Sequence, residues 1–396
     1  MRVLLPGLAA SLIVVCSTAA ADWRMHRTGL PWTFTIGLHA PATIEKDDYP
    51  LAAAAGFNLA LPLRPGPGYC RALLRACGRA HIKAVAWDPR LATDNVGGWK
   101  LYKAGLAEYN KFNSLAGYAV TNYHVVPPGC LFNVFYRVRE LGNADRRRFV
   151  YMQASPLGEF RSESSYENYL NRYLYTGIGY VLYEEAAPFS TEAMRAMQVV
   201  ARVCSRRGST WWRRCCIDKP SAPMIRWQAF AAAAAGAKGV IYLVLRPAGG
   251  RRTDALLGAD GRPSPIYDAA RATNRRITAL SPTLMASRSS AFYTVGTMPE
   301  NPTRPPRASP VASVISSIEN DGFLVGVLRG RGRHIFIVRK PSDTTGAAQV
   351  TIKWAGQWKG TVVETGEPLE GPLTLLPGEG QLIRVKIRRD APKPGE

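Results

Sequence analysis

The chain has 396 residues and carries 51 Lys and Arg against 29 Asp and Glu, for a formal net charge of +22. That length exceeds one small core and suits one large module followed by a smaller one. The basic residues are dispersed, with clusters at Arg146-Arg147-Arg148, Arg206-Arg207, Arg213-Arg214 and Arg251-Arg252. No basic helix or aromatic-basic ribbon marks a nucleic-acid site, so the charge implies either an anionic partner (an acidic polysaccharide or an anionic membrane surface) or simply an Arg-rich surface.

The N-terminus reads as a secretory signal. Arg2 precedes the apolar core LLPGLAASLIVV, and Ala19-Ala20-Ala21 forms a small-residue cleavage site before Asp22. Residues 1–21 are therefore expected to be removed and the protein exported, to the periplasm or beyond. The core is too short to span a membrane, and no later segment reaches about eighteen uninterrupted apolar residues, so no transmembrane segment is expected. Eight short apolar runs follow: FTIGLHA (from Phe34), FNLALPL (Phe57), KAVAWD (Lys83), GYAVTNY (Gly117), RFVYMQA (Arg148), GYVLYEE (Gly179), STWWRRC (Ser209) and GVIYLVL (Gly239). Each precedes a stretch with helical periodicity, which predicts a (β/α)8 barrel over residues 22–283. Helices are expected over about 69–80, 131–141, 191–206 (with Ser190 as N-cap) and 222–235. The helix YDAARATNRRITAL closes the series.

Beyond it, TMPENPTRPPRASP resists regular structure. The runs SVISSIE, GFLVGVLRG, HIFIVRK, AQVTIKW, GTVVET, LTLLP and QLIRVKI then predict a small antiparallel β-sandwich over 284–390, with 391–396 as a tail. The fold class is α/β, a TIM barrel followed by a β-sandwich. After signal cleavage six cysteines remain: Cys70, Cys77, Cys130, Cys204, Cys215 and Cys216. An even number in an exported chain leaves open one bridge from Cys204 to the Cys215-Cys216 pair. Cys70 and Cys77 lie about 10 Å apart along one helix and should not bridge. No CxxC pair exists and the five histidines are scattered, so neither a metal site nor a cofactor is expected.

Three segments, GYAVTNYH, AGAKGVIYLVL with LLGADGRPSPIYDAARATNRRI, and LPGEGQLIRVKI, give the chain its resemblance to bacterial retaining glycoside hydrolases with a (β/α)8 barrel and a C-terminal β-sandwich. The resemblance implies a carbohydrate in the cleft at the C-terminal ends of the strands. It also implies an acid/base and a nucleophilic carboxylate at the ends of strands 4 and 7, about 5 to 5.5 Å apart. Here Asn122 falls where the family has Asp, Tyr123 where it has the acid/base Glu, and His124 where it has Pro; the seventh run offers Trp211, Trp212, Arg213 and Arg214. Tyrosine ionises near pH 10, too high for that proton transfer.

The carboxylates left at strand ends are Asp88, Glu184 and Glu185, the candidate catalytic groups. Successive strand residues face opposite sides, so one of the two glutamates enters the cleft, with Glu184 preferred; the other reading pairs it with Arg213 or Arg214. Trp87, Asn122, Tyr123, Tyr183, Trp211, Trp212, Arg213 and Tyr242 are the expected substrate-binding residues, since aromatic faces stack on sugar rings. Several of these aromatics serve equally well as barrel filling. The residues thus support two functions: a glycosidase with displaced carboxylates, or an inactive glycan-binding barrel, for which an acidic polysaccharide is a candidate ligand.

Overall fold

The computed structural model describes residues 33–91, 98–119, 131–175, 180–183, 189–215, 221–242, 244–247, 255–295, 322–342, 346–352 and 358–387. The expected signal peptide, the run SVISSIE, the proline-rich stretch and the tail lie outside them. Among the described residues eight strands alternate with eight helices. The strands are β1 (Thr35–His39), β2 (Leu59–Leu61), β3 (Lys83–Ala86), β4 (Leu115–Ala119), β5 (Phe149–Tyr151), β6 (Tyr180–Tyr183), β7 (Thr210–Cys215) and β8 (Gly239–Tyr242). The helices are α1 (Asp48–Ala54), α2 (Pro67–Arg79), α3 (Gly98–Tyr109), α4 (Leu131–Ala144), α5 (Glu163–Tyr175), α6 (Thr191–Arg207), α7 (Ala222–Ala234) and α8 (Tyr267–Ala286).

The strands form one parallel sheet in the order β5-β4-β3-β2-β1-β8-β7-β6, so β1 pairs with both β2 and β8. The sheet curls strongly. Phe149 on β5 and Trp212 on β7 are far apart in that order, yet their rings meet edge to face at 5.8 Å on the concave side. Gly117 and Gly239 make room for this: a Cβ on Gly117 would strike the Phe149 carbonyl and crowd its ring, and one on Gly239 would press on Thr35 and the Trp212 ring. Among the described residues no ladder joins β5 to β6. The result is a TIM-barrel-like curled sheet sheathed by helices.

Local chemistry explains the helices that matter most. α6 starts where Ser190 Oγ accepts the Ala193 N–H at 3.1 Å, and it ends at Gly208, whose φ of 63° is the left-handed cap that glycine adopts most readily. α7 is apolar all round because it is buried on both sides. One side packs on β7 and β8, the other on the second module.

That module comprises β9 (Arg288–Val295), β10 (Phe323–Gly330), β11 (Gly332–Arg339), β12 (Ala348–Val350), β13 (Trp358–Val362), β14 (Leu373–Leu375) and β15 (Gly380–Ile387). Five strands form an antiparallel sheet in the order β13-β15-β11-β10-β9, and β12 pairs with β14. Both faces of the larger sheet are covered. Phe323, Val325, Val327, Ile335, Ile337 and Ile383 form a core with Val350, Leu373 and Leu375 of the smaller sheet. Leu324, Leu328, Phe336, Val338 and Leu382 belong to the core that includes the helices of the parallel sheet. Phe230 of α7 and Phe336 of β11 meet at 5.9 Å across this junction.

Two expectations are corrected. β9 was not foreseen as a strand: it is an edge strand whose RSSAFYTV carries few apolar residues and is only partly buried. The bridge from Cys204 does not form, because Cys204 is a free buried thiol. α6 runs antiparallel to β7, so Cys204 in its last turn sits beside the start of the strand, while Cys215 closes the far end about 15–20 Å away. Cys70 and Cys77 are free thiols as well.

Candidate strand-end site

Parallel strands bring all their C-terminal ends to one face, and the pleat decides which side chains reach the concave interior. Register fixes the parity. Gly37, Ile241 and Arg214 are cross-strand neighbours, Trp212 pairs with Gly239, and Trp212 meets Phe149 across the interior. Two residues beyond Gly37, Val85, Tyr151 and Trp212, the same alternation gives His39, Trp87, Gln153 and Arg214 at the upper end of β1, β3, β5 and β7. All four odd strands thus contribute to one layer. Arg214 donates to Gln153 Oε1 at 2.7 Å, across the two ends of the sheet order. His39, Trp87 and Gln153 are buried, so they form a floor rather than a rim.

The opposite parity takes several expected site residues away from this face. Tyr242 lies between sheet and helix: its hydroxyl is hydrogen-bonded to Asn274 of α8 at 3.0 Å, and its ring packs edge-on against Phe57. Burial pushes its phenol well above the ordinary range. Arg213 is buried against Met197 of α6, 3.5 Å from the sulfur. Trp211 shares its parity and is buried too. These three pack the layer behind the strands instead of facing a ligand. Trp212 does enter the interior, as core filling beneath Arg214.

Asp88 is fully buried and faces α3. Arg90 Nε donates to Asp88 Oδ2 at 2.8 Å and Tyr109 Oη donates to the same oxygen at 2.5 Å, while the Arg90 amide takes Oδ1 at 2.9 Å. Burial pushes its carboxyl up, but the Arg90 guanidinium and the Tyr109 hydroxyl outweigh that and hold it below its usual value. Glu108 holds the far side of Arg90, and Arg71 holds Glu108. Asp88 is therefore the anchor of the segment after β3, with no oxygen directed at the face. The acid beside the ends of β1 and β8, Asp48, is likewise taken by Arg246.

Glu184, Glu185, Asn122 and Tyr123 lie outside the described residues, and Tyr183 closes β6. Sequence reasoning did not assign His39 or Gln153 to the site, and it named Arg214 only beside Arg213 at the end of the seventh run. Counting the pleat from the glycine-bearing interior positions would have found them. Among the described residues no cluster of His, Cys, Asp and Glu has the makings of a metal site, and no helix is long and apolar enough to cross a membrane.

No family model and no curated protein matches this chain. Similar solved structures include an α-fucosidase from Thermotoga maritima in complex with a mechanism-based inhibitor, at 9% identity and a TM-score of 0.43, covering 92% of this chain and 95% of that one. A glycosyl hydrolase family 2 member from Bacteroides cellulosilyticus is similar at 10% identity and a TM-score of 0.44, covering 91% of this chain and 58% of that one. A truncated 3-deoxy-D-arabino-heptulosonate 7-phosphate synthase from Thermotoga maritima is also similar, at 14% identity and a TM-score of 0.39, covering 64% of this chain and 88% of that one. At these identities and TM-scores the similarities, glycoside hydrolases among them, leave both architecture and chemistry to be argued from this chain's own residues.

Proposed function

We propose that the protein binds a carbohydrate on the C-terminal face of its parallel sheet and does not cleave it. One observation carries this reading: among the described residues the uppermost interior layer is His39, Trp87, Gln153 and Arg214, where a barrel core ordinarily carries branched aliphatic residues. Polar groups placed in an interior cost stability, so a polar layer at the ligand-facing end of the sheet fits a binding floor better than packing. An indole, neutral hydrogen-bonding groups and a guanidinium suit a sugar bearing hydroxyl and carboxylate groups. Hydrolysis needs two available carboxyl groups, and among the described residues the strand-end acids Asp88 and Asp48 are both held by arginines.

The test is a glycan array, with neutral and uronic-acid glycans, run beside a hydrolysis screen on the wild type and on Arg214→Met, Glu184→Gln and Glu185→Gln. Retention of a glycan without turnover, weakened about tenfold or more in Arg214→Met, is the expected result. Turnover that disappears in Glu184→Gln or Glu185→Gln establishes the glycosidase instead. No retention of any glycan removes the proposal.

A further inference from the structure

Among the described residues, exposed cations gather at one end of the parallel sheet. The described helix-to-strand turns lie at the N-terminal pole, opposite the strand-end face. Four of them are basic. Arg79 ends α2, Lys111 follows α3, and Arg146 and Arg147 precede β5; all four are exposed. Arg206 and Arg207 end α6, where Glu167 pairs with Arg206. The acid within these turns, Asp145, is buried and accepts the Tyr118 hydroxyl at 2.9 Å, so it offers little charge to solvent. Among the described residues the opposite face is mixed, with exposed Glu45, Asp47, Glu159, Glu163 and Asp260 among its cations.

The second module extends the same pole. Arg288 opens β9 immediately after α8, and Arg329 of β10 stands beside it in register. The β10–β11 hairpin turns at Arg331 directly over the end of α8, since a Cβ on Gly330 would strike the Ala286 carbonyl. Arg288, Arg329 and Arg331 are exposed. Among the described residues none of these three, nor Arg79, Lys111, Arg146 or Arg147, has a carboxylate partner for its side chain. Tyr175, 76% exposed, ends α5 on this pole and adds an amphipathic ring.

We infer that this pole is a docking surface for an anionic lipid membrane. The geometry selects a plane over a polymer strand. Cations presented by turns that precede different strands, and by a hairpin beyond them, meet a flat field of phosphates together, whereas one linear chain would cross only a few of them. Exposed unpaired arginines gain most from such a surface, where the potential of the headgroups extends about one Debye length. Docked this way, the protein turns its strand-end face to the solution. The inference rests on charge placement alone and stands whether or not that face binds carbohydrate.

Co-sedimentation of the full chain with vesicles tests it. Vesicles of phosphatidylcholine with roughly one-third phosphatidylglycerol should retain the protein, pure phosphatidylcholine should not, and raising salt from roughly 0.05 to 0.5 M should release it. The pairs Arg146→Glu/Arg147→Glu and Arg329→Glu/Arg331→Glu should each lower retention about tenfold or more, while Arg161→Glu/Arg262→Glu on the opposite face, with the same change in net charge, should leave it nearly intact. All six positions are exposed, and circular dichroism confirms folding of each variant. Equal loss in all three pairs overturns the assignment to this pole. Retention on neutral vesicles alone, or capture by soluble heparin without any vesicle binding, overturns the lipid surface.

Discussion

Asp88 shows how a single side chain can resemble a catalytic acid in the sequence and act as an anchor in the fold. Its carboxylate is sequestered with Arg90 and Tyr109, so Asp88→Asn leaves a partly buried guanidinium short of its closest anion. The expected cost is about 3 kcal/mol in urea unfolding. Because the Asp88 carboxyl is held below its usual pKa, its contribution is present at neutral pH and fades as pH falls below the ordinary carboxylate range. His334 works in the same direction by a different route. It is 4% exposed on β11, and burial with Arg384 beside it pushes its imidazole down to about 4. An unfolded histidine takes up its proton near 6.5, so between about pH 6.5 and 4 the unfolded chain binds more protons and the fold loses stability as pH drops. Replacing it, as in His334→Gln, should flatten that part of the thermal-stability profile, by about 3 kcal/mol at most. An unchanged acid limb in the variant would exclude His334 as its source.

At the scale of elements, the contact between α7 and the second module depends on how closely a helix approaches a sheet. Gly326 of β10 lies under the last turn of α7, and a Cβ there would fall 2.0 Å from the Ala234 carbonyl oxygen. Backbone meets backbone at this point, so no rotamer relieves the clash. Gly326→Ala should cost about 3 kcal/mol, read as a lower denaturant midpoint. The alanine-rich sequence of α7 belongs to the same requirement, because small side chains let it lie between two sheets. Most elements were legible in the sequence for a simple reason: a short apolar run followed by a 3.6-residue period is set by local burial. β9 was not, because its first half is polar and only Phe292 and Tyr293 of its side chains are buried at this sheet edge. Strands β10 and β11 read as continuous apolar runs rather than alternating ones, and the two-sided burial accounts for that.

The whole molecule is two modules joined by a shared apolar core and by an ionic clamp. Arg276 of α8 reaches into the second module, where its guanidinium is held by Glu364 at 2.7 and 2.8 Å, by Glu379 and by the Gly380 carbonyl, while it also lies over the Phe230 ring. Burial disfavours its charge, and the two carboxylates more than restore it. Arg276→Ala should weaken the junction by about 2 kcal/mol or more, and calorimetry should show the single unfolding transition broaden or split. A transition that moves without broadening would mean that the apolar contact around Phe230 and Phe336 couples the modules unaided.

The amino-acid sequence by itself determined the order of the strands and helices, the presence of a second β module and the lack of any Asp or Glu in GYAVTNYH. Each of those is a local pattern of burial or residue type. Tertiary structure decided which strand-end side chains share a surface. Side chains alternate with a period of two, so a residue's distance from a glycine-bearing interior position, not its chemistry, sent Tyr242 and Arg213 to the helices and Gln153 and Arg214 to the interior. It also decided where the charge goes: sequence neighbours such as Arg146 and Arg147 meet the distant Arg288 and Arg331 on one pole only because parallel strands gather their N-terminal turns at one end.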